Sequence, residues 1–597
     1  MTEPDKRGEP FNNPPRTKSR LLTGAFFLGT IALATVLLAE EEFPDRQSFW
    51  IQAWSLPDSW SMKAKSTDDV RPQTIRSNQD EAWIGTLKEK LESKQERWSE
   101  AEAAMVYRQL CRLIVTGNRS IPEAQSVVSM IPSTVKLDIQ AKATHRHPIV
   151  GWVAGSYSSA NSPNFSVSVQ GSPKQAADIA RLCEQTYSIW RQLFFSYWSH
   201  ADLLQQSIAS KQPLPEPTAE RFKVVVFRNR DGYLKQLQPI ESNAAVSTGY
   251  YSPKLKAVFC YWDETTSVAT LRHELTHQLF CEAIQDNVLL PEEWRSDCWI
   301  IEGLALYMES IWIDQFDGKE IATLGGWDAP RLQPARYRRL HDETWIPWDD
   351  FRRANNERFR TGPDIKQWYS QAAGLVHFWM DGKPDSRAAF LNYVRNAYRG
   401  LSSSEILLEA KQDEDLRQAY DQFLLQPESR LSKSPPFANC KELVLSRCAV
   451  TSQSFLQWPE SHRKFDWLDL SFTNIDDRLF NESSGSITKN RWDIRRLNVE
   501  STFVSDVSLP AFSTMPHLEE LDLSRCNITD AGLEALKGHK TLKTLWLTGN
   551  RKISDQGAEV LASIPRLEIV DLAETSVTEE GWRKLVSKLP RLRRKKP

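Results

Sequence analysis

The chain predicts an α+β domain followed by an α/β solenoid of repeats, with a transmembrane helix at the N-terminus. Three observations carry this. Residues 21–39 are apolar and uncharged, residues 164–261 mix short β-type runs with a long amphipathic helix, and from residue 443 an L-x-L core returns six times at a near-constant period. A length of 597 residues allows three or four domains at about 150 each, and 40% hydrophobic with 25% charged residues is an ordinary globular balance. The 75 Lys and Arg against 77 Asp and Glu leave a formal charge of −2, which argues against nucleic acid as the main partner. Eight cysteines without a C-x-x-C pair suit neither a disulfide-stapled scaffold nor a zinc ribbon.

Residues 1–20 carry Arg16, Lys18 and Arg20 and are expected in the cytoplasm. Leu21 to Ala39 follows without a charge, and Glu40, Glu41 and Glu42 come next. Basic before and acidic after places everything beyond residue 40 outside the cytoplasm. Nineteen residues at about 1.5 Å rise come close to a hydrocarbon core of roughly 30 Å, as a single-pass signal anchor in the cell membrane requires. The alternative is a signal peptide cut after Ala32-Leu33-Ala34, which gives a secreted protein. Residues 40–80 scatter Pro, Ser and charge and predict a linker. Residues 81–132 predict a helical spacer, with Trp83, Leu87, Leu91, Trp98, Ala101 and Met105 spaced by about three, four and seven. Within 133–430, residues 164–169 alternate as a strand, 174–198 form an amphipathic helix, 221–227 a buried strand, and 246–261 a hairpin.

The last segment, 437–597, repeats. Its cores start at Leu443, Leu468, Leu497, Leu521, Leu545 and Val570, separated by 25, 29, 24, 24 and 25 residues, close to the leucine-rich-repeat period of about 20–29. Three positions after each core's second apolar residue stand Cys448, Thr473, Thr502, Cys526, Asn550 and Thr575, all able to donate a hydrogen bond. Such donors are needed because carbonyls turned into a stack would otherwise be buried unpaired. Cys526 is thereby expected to be an inward-facing free thiol. ITDAGLEAL, ISDQGAEVL and VTEEGWRKL supply short helices, and the chain ends in a basic tail.

The chemistry lies at TLRHELTHQLF, where His273, Glu274 and His277 form H-E-x-x-H. Residues four apart share one face of a helix, so both imidazoles can reach one cation while Glu274 reaches a water beside it. Twenty-five residues after His277, Glu302 opens a second helical stretch, and two His with one Glu is a standard zinc set that leaves a position for water. The segment WIIEGLALYMES resembles the distal Glu helix of the gluzincin metallopeptidases. That resemblance implies a zincin-like metallopeptidase domain, Zn2+ on His273, His277 and Glu302, Glu274 as catalytic base, and a peptide or protein substrate. It also implies a later Tyr or His over the oxyanion; Tyr369 in QWYSQAAGLVHFWM is the candidate and His377 the second choice. The position four after Glu302 is Leu306, not an acid, so a carboxylate orienting a ligand His has to come from elsewhere. Residues 164–425 as a whole are similar to peptidase-MA-like domains of exported bacterial proteins. In that fold class an edge strand before the metal helix pairs with substrate, and the hairpin at 246–261 stands in that place. The repeats are expected to select a substrate or protein partner; the competing expectation is an interaction scaffold carrying an inactive or structural metallopeptidase-like domain.

Overall fold

Gln47–Ile51 (QSFWI) forms a strand, β1, inside the stretch whose composition predicts a linker. Its Phe, Trp and Ile are good strand formers, but a run of five residues is too short to stand out against the charged sequence around it. The computed structural model describes residues 47–51, 97–116, 137–215 except 213, 220–239, 247–262, 267–283, 296–401 except 317, 318, 361 and 363, 413–433, 440–455, 458–481 and 492–594, with a few isolated positions besides. The apolar run at 21–39 lies outside them, and no helix among the described residues is long and apolar enough to cross a membrane. Trp83 and Leu87 of the expected spacer also lie outside.

What is described of that spacer is helix α1 (Glu100–Thr116), begun by a capping box in which the Ser99 N–H donates to Glu102 Oε2 at 2.9 Å and the Glu102 N–H to Ser99 Oγ at 3.2 Å. Its buried face is Ala103, Val106, Tyr107, Leu110 and Leu113, within the same core as the central sheet. The expected stripe is out of phase by a residue or two: Trp98 is buried, but Ala101 is exposed and Met105 is 40% exposed, beside the buried Ala103 and Val106.

The central sheet has strands β2 (Asp138–Gln140), β3 (Ser158–Asn161), β4 (Phe165–Val169), β5 (Phe222–Phe227), β6 (Gly249–Ser252) and β7 (Ala257–Tyr261), in the order β2-β3-β4-β5-β7-β6. β4, β5 and β7 run parallel; β3 and β6 are antiparallel to their neighbours, so the hairpin expected at 246–261 puts β6 at the sheet's edge. Helix α2 (Pro173–Leu193), capped by Ser172, covers β3 and β4, and helix α3 (Ser267–Glu282) packs on β6 and β7. Helix α4 (Trp299–Met308) lies on α3 and leads into the hairpin β8 (Trp312–Phe316) and β9 (Lys319–Leu324), to which β1 adds antiparallel with Gln47 opposite Leu324. Helix α5 (Leu332–Arg336), helix α6 (Ile365–Met380) and helix α7 (Pro384–Tyr398) complete this half.

The repeats form one parallel sheet of seven strands: β10 (Glu442–Val444), β11 (Trp467–Asp469), β12 (Arg496–Asn498), β13 (Glu520–Asp522), β14 (Thr544–Trp546), β15 (Ile569–Asp571) and β16 (Arg593–Arg594). Leu443, Leu468, Leu497, Leu521, Leu545 and Val570 pair in register, as the period requires. The seventh strand falls in the expected basic tail. Arg594 pairs with Val570, 24 residues earlier, so the period points to it although no L-x-L does.

The predicted ladder is present at five of its six positions. Thr473, Thr502 and Thr575 donate to Leu470, Val499 and Leu572 carbonyls at 2.5, 2.7 and 2.7 Å. Buried Cys526 donates to Val499 O at 2.9 Å, and Asn550 donates to Leu523 O and Leu547 O at 2.8 and 2.9 Å. All eight cysteines are free thiols. Cys448 reverses the role: at the first repeat its sulfur accepts the Gln426 N–H at 3.3 Å. A second ladder runs along the helix starts, where each Asp accepts both the N–H and the hydroxyl of the next repeat's Ser or Thr: Asp506 from Thr529, Asp530 from Ser554, Asp555 from Thr578. This is why a glycine follows in each turn. A Cβ on Gly557 would stand 2.4 Å from Asp530 Oδ1. Gly557→Ala is therefore expected to cost about 1–3 kcal/mol, read as a lower urea midpoint without loss of the repeat's circular dichroism.

A parallel sheet beginning at β10 would leave that strand's outer N–H and C=O unpaired. Here α5 closes it. Gln333 Oε1 accepts the Val444 N–H at 2.9 Å, and Arg336 donates to Val444 O at 2.9 Å, Trp327 O at 3.0 Å and Leu424 O at 2.9 Å. Arg336 is fully buried. The π-helical turn after it, Tyr337–His341, sets Tyr337 against Trp467 (ring centroids 5.0 Å apart) and His341 against Phe472 and Glu500. Burial opposes a charge on His341, but hydrogen bonds to Asp342 and Glu500 outweigh it and push its pKa up to about 10. A raised folded pKa stabilises most below the unfolded value near 6.5 and loses that contribution as pH rises through about 10. The destabilisation caused by His341→Gln should thus be largest near pH 6 and shrink towards pH 10, measured by denaturant unfolding across that range.

Candidate metal centre

Helix α3 is held on the sheet by Leu271, Leu275 and Leu279, all fully buried and spaced by four, which turns His273, Glu274 and His277 away from that packed stripe. Strand β6 comes very near it. A Cβ on Gly249 would stand 2.6 Å from Thr270 Cγ2 and 2.9 Å from Glu274 Cγ, so only glycine permits this approach. Helix α4 is buried along its whole length, and Gly303 meets Val376 and the Ala372 carbonyl of α6, which fixes the neighbouring Glu302.

These three supports bring the predicted ligands together. His273 Nε2 lies 3.3 Å and His277 Nε2 3.9 Å from Glu302 Oε2, and the three ligand atoms all fall within 4.8 Å of one another. Ligand bonds of about 2.0–2.2 Å place two ligands of one tetrahedral ion about 3.3–3.5 Å apart, so this His-His-Glu group can hold a metal ion with small adjustment. Glu302 is 8% and Glu274 9% exposed. Burial pushes the Glu274 carboxyl up to about 7; His273 opposes the shift and Glu302 adds to it. Glu274 Oε2 also accepts the Tyr251 N–H of β6 at 2.8 Å.

The orienting carboxylate absent at Leu306 is Glu309, seven residues after Glu302 rather than four. Its Oε1 lies 2.9 Å from His273 Nδ1, and its Oε2 accepts from Arg331 Nε at 2.6 Å. A proton shared with Glu309 at Nδ1 leaves Nε2 as the ligand atom. Burial opposes protonation of His273, yet Glu302 and Glu309 outweigh it and push its pKa up to about 10. The sequence signal was an acid two helical turns beyond Glu302, on the same face. Glu309→Gln is expected to weaken metal binding about 10–100-fold, measured by competition with a chromophoric chelator.

Tyr369 stands half-buried near the start of α6, with its ring 6.3 Å from that of Phe359. α6 itself is seated on α4, so Tyr369 is carried by the helix that supports Glu302. His377 is committed elsewhere. It is fully buried, with Nδ1 2.7 Å from Asp381 Oδ2, and Asp381 also accepts from Tyr307 Oη at 2.6 Å. Gln47 of β1 donates to that Tyr307 hydroxyl at 3.0 Å, so His377 belongs to a polar brace behind α4.

Comparison with known proteins finds a match in each half. Residues 267–399, which carry α3, α4 and α6 and hence all three candidate ligands, match a family described as a protein of unknown function (DUF1570). No curated protein matches the chain. Residues 514–537 and 538–562 match the leucine rich repeat, so the C-terminal solenoid is similar to leucine-rich-repeat proteins in sequence as well as in register.

Proposed function

We propose that the chain is a zinc-dependent peptidase, tethered through residues 21–39 and facing away from the cytoplasm. The observation that carries this is the convergence of His273 Nε2, His277 Nε2 and Glu302 Oε2, with Glu274 alongside. Two imidazoles and one carboxylate suit zinc better than the oxygen-only sets of magnesium and calcium. When bound there, zinc supplies a Lewis acid for the scissile carbonyl and acidifies water towards a pKa of about 7. Glu274 accepts the proton of the attacking water and returns it to the leaving amine. Strand β6, at the sheet edge, offers backbone hydrogen bonds to an extended substrate, and Tyr369 donates to the developing oxyanion. His273 keeps its ligand orientation through Glu309.

The repeats are read as a surface that selects a substrate or protein partner. Tyr337 and His341 already engage β11 and the loops after β11 and β12, which favours the later strands for that role. The second reading, an interaction scaffold with a metal-holding but inactive domain, draws on the leucine-rich-repeat match. One experiment separates them: the full-length chain is assayed for metal content and for cleavage of a peptide library. About one zinc per chain with cleavage supports the peptidase; one zinc without cleavage of any peptide supports the scaffold. No bound metal after zinc loading removes both metal readings. A reporter fused after residue 80 should lie outside the cytoplasm, and a cytoplasmic reporter would refute the proposed orientation.

A further inference from the structure

Away from the metal centre, helices α1 and α7 face each other across a cavity of about 620 Å³, with the end of α2 and Gln47 of β1 at its sides. Each helix contributes one stripe to it. On α1 the stripe runs Ala101, Ala104, Met105, Arg108 and Arg112; on α7 it runs Arg387, Ala388, Leu391 and Arg395. Four guanidiniums therefore line the space together with an apolar surface completed by Leu193, and the one carboxylate among the described lining residues is Glu100.

The geometry points to a binding site for an anionic amphiphile, a carboxylate- or phosphate-headed molecule whose alkyl or aromatic body lies along Met105, Leu193 and Leu391. Two observations besides the arginine count support it. Buried polar atoms are normally hydrogen-bonded, yet the donor Arg387 Nη2 is buried without a partner at this cavity; the acceptors Gln47 Oε1, Glu100 Oε2 and Gln109 Oε1 are orphaned there too and call for water. Arg108, moreover, is held down to about 10 by burial and next by the positive charge of Arg387. Water can satisfy the three orphaned acceptors, but Arg387 Nη2 belongs to a described lining of four guanidiniums to one carboxylate; that excess suits an anion, and arginine forks suit carboxylate and phosphate alike. A volume of 620 Å³ is within the range of about 300–1,000 Å³ typical of small-molecule sites. The apolar half of the lining calls for a body as well as a head, which distinguishes this site from one for a bare inorganic anion.

The test uses the full-length chain and soluble probes in titration calorimetry: octanoate, octyl phosphate, octanol and inorganic phosphate. One of the two anionic amphiphiles should bind with one-to-one stoichiometry, and which binds tighter identifies a free acid or a phosphoryl head. Octanol and inorganic phosphate should each bind at least tenfold more weakly. Arg387→Gln and Ala388→Trp, the first removing a charge and the second filling the space, should each weaken binding at least tenfold while circular dichroism stays native. The proposal is overturned if neither amphiphile binds, if octanol or phosphate binds as tightly as the better amphiphile, or if a folded variant of either kind retains the wild-type affinity.

Discussion

His277→Ala is expected to abolish stoichiometric metal binding, because two remaining ligands cannot hold the ion that His273, His277 and Glu302 are placed to share. Glu274→Gln separates chemistry from binding. Its side chain keeps the volume and can still meet the Tyr251 N–H through its amide oxygen, so metal content should stay near wild type. Without a carboxylate to take the proton, hydrolysis should fall by about 10²–10⁴. Elemental analysis and turnover of the same samples check both. Metal retained at wild-type stoichiometry in His277→Ala would remove the ligand assignment, and unchanged turnover in Glu274→Gln would remove the base.

The largest effect on stability is expected at Arg336, far from the chemistry. Methionine there keeps the bulk and removes every donor: Val444 O is left buried without its partner, while Trp327 O keeps only Gln333 Nε2 at 3.1 Å and Leu424 O only Gln426 Nε2 at 3.4 Å. The unsatisfied Val444 carbonyl costs about 1–3 kcal/mol and the weakened bonds at Trp327 and Leu424 add to it, a large share of the stability of a typical domain. The variant should unfold at a clearly lower denaturant midpoint. A change below about 1 kcal/mol would mean that water replaces the guanidinium, and the capping role would fall.

The fold was legible where one periodicity dominated. Leucines every 24 to 29 residues gave each in-register pair of the solenoid, apolar runs gave β4 and β5 within a residue, and the hairpin expected at 246–261 holds β6 and β7. Phase errors arose where two faces compete: α1 has apolar residues on more than one side, and the core took Val106 and Leu110 instead of Met105. At the candidate metal centre, His273 and His277 were legible because one helix sets their spacing, and Glu302 through the resemblance of its own segment to a distal Glu helix. Glu309 was not, since seven residues and four residues both return to one helix face and only packing chooses between them. Arg336 was hidden for another reason: nothing local marks an arginine whose partners are backbone carbonyls 9, 88 and 108 residues away.

The two ends of the repeat sheet bear on how copies of the chain behave towards one another. An open strand is a template on which a second molecule can add, and stacked solenoids would grow into fibres by that route. At β10 the template is blocked from within, since Gln333 and Arg336 already occupy the groups that a newcomer would bond. At β16 no such bond from the N-terminal half is present among the described residues. There the strand is two arginines, with Arg593 exposed and Lys595 and Lys596 following in sequence, so another copy arriving edge-on meets its own charge. One end is sealed by shape and the other guarded by repulsion, and only the second protection weakens as salt is added.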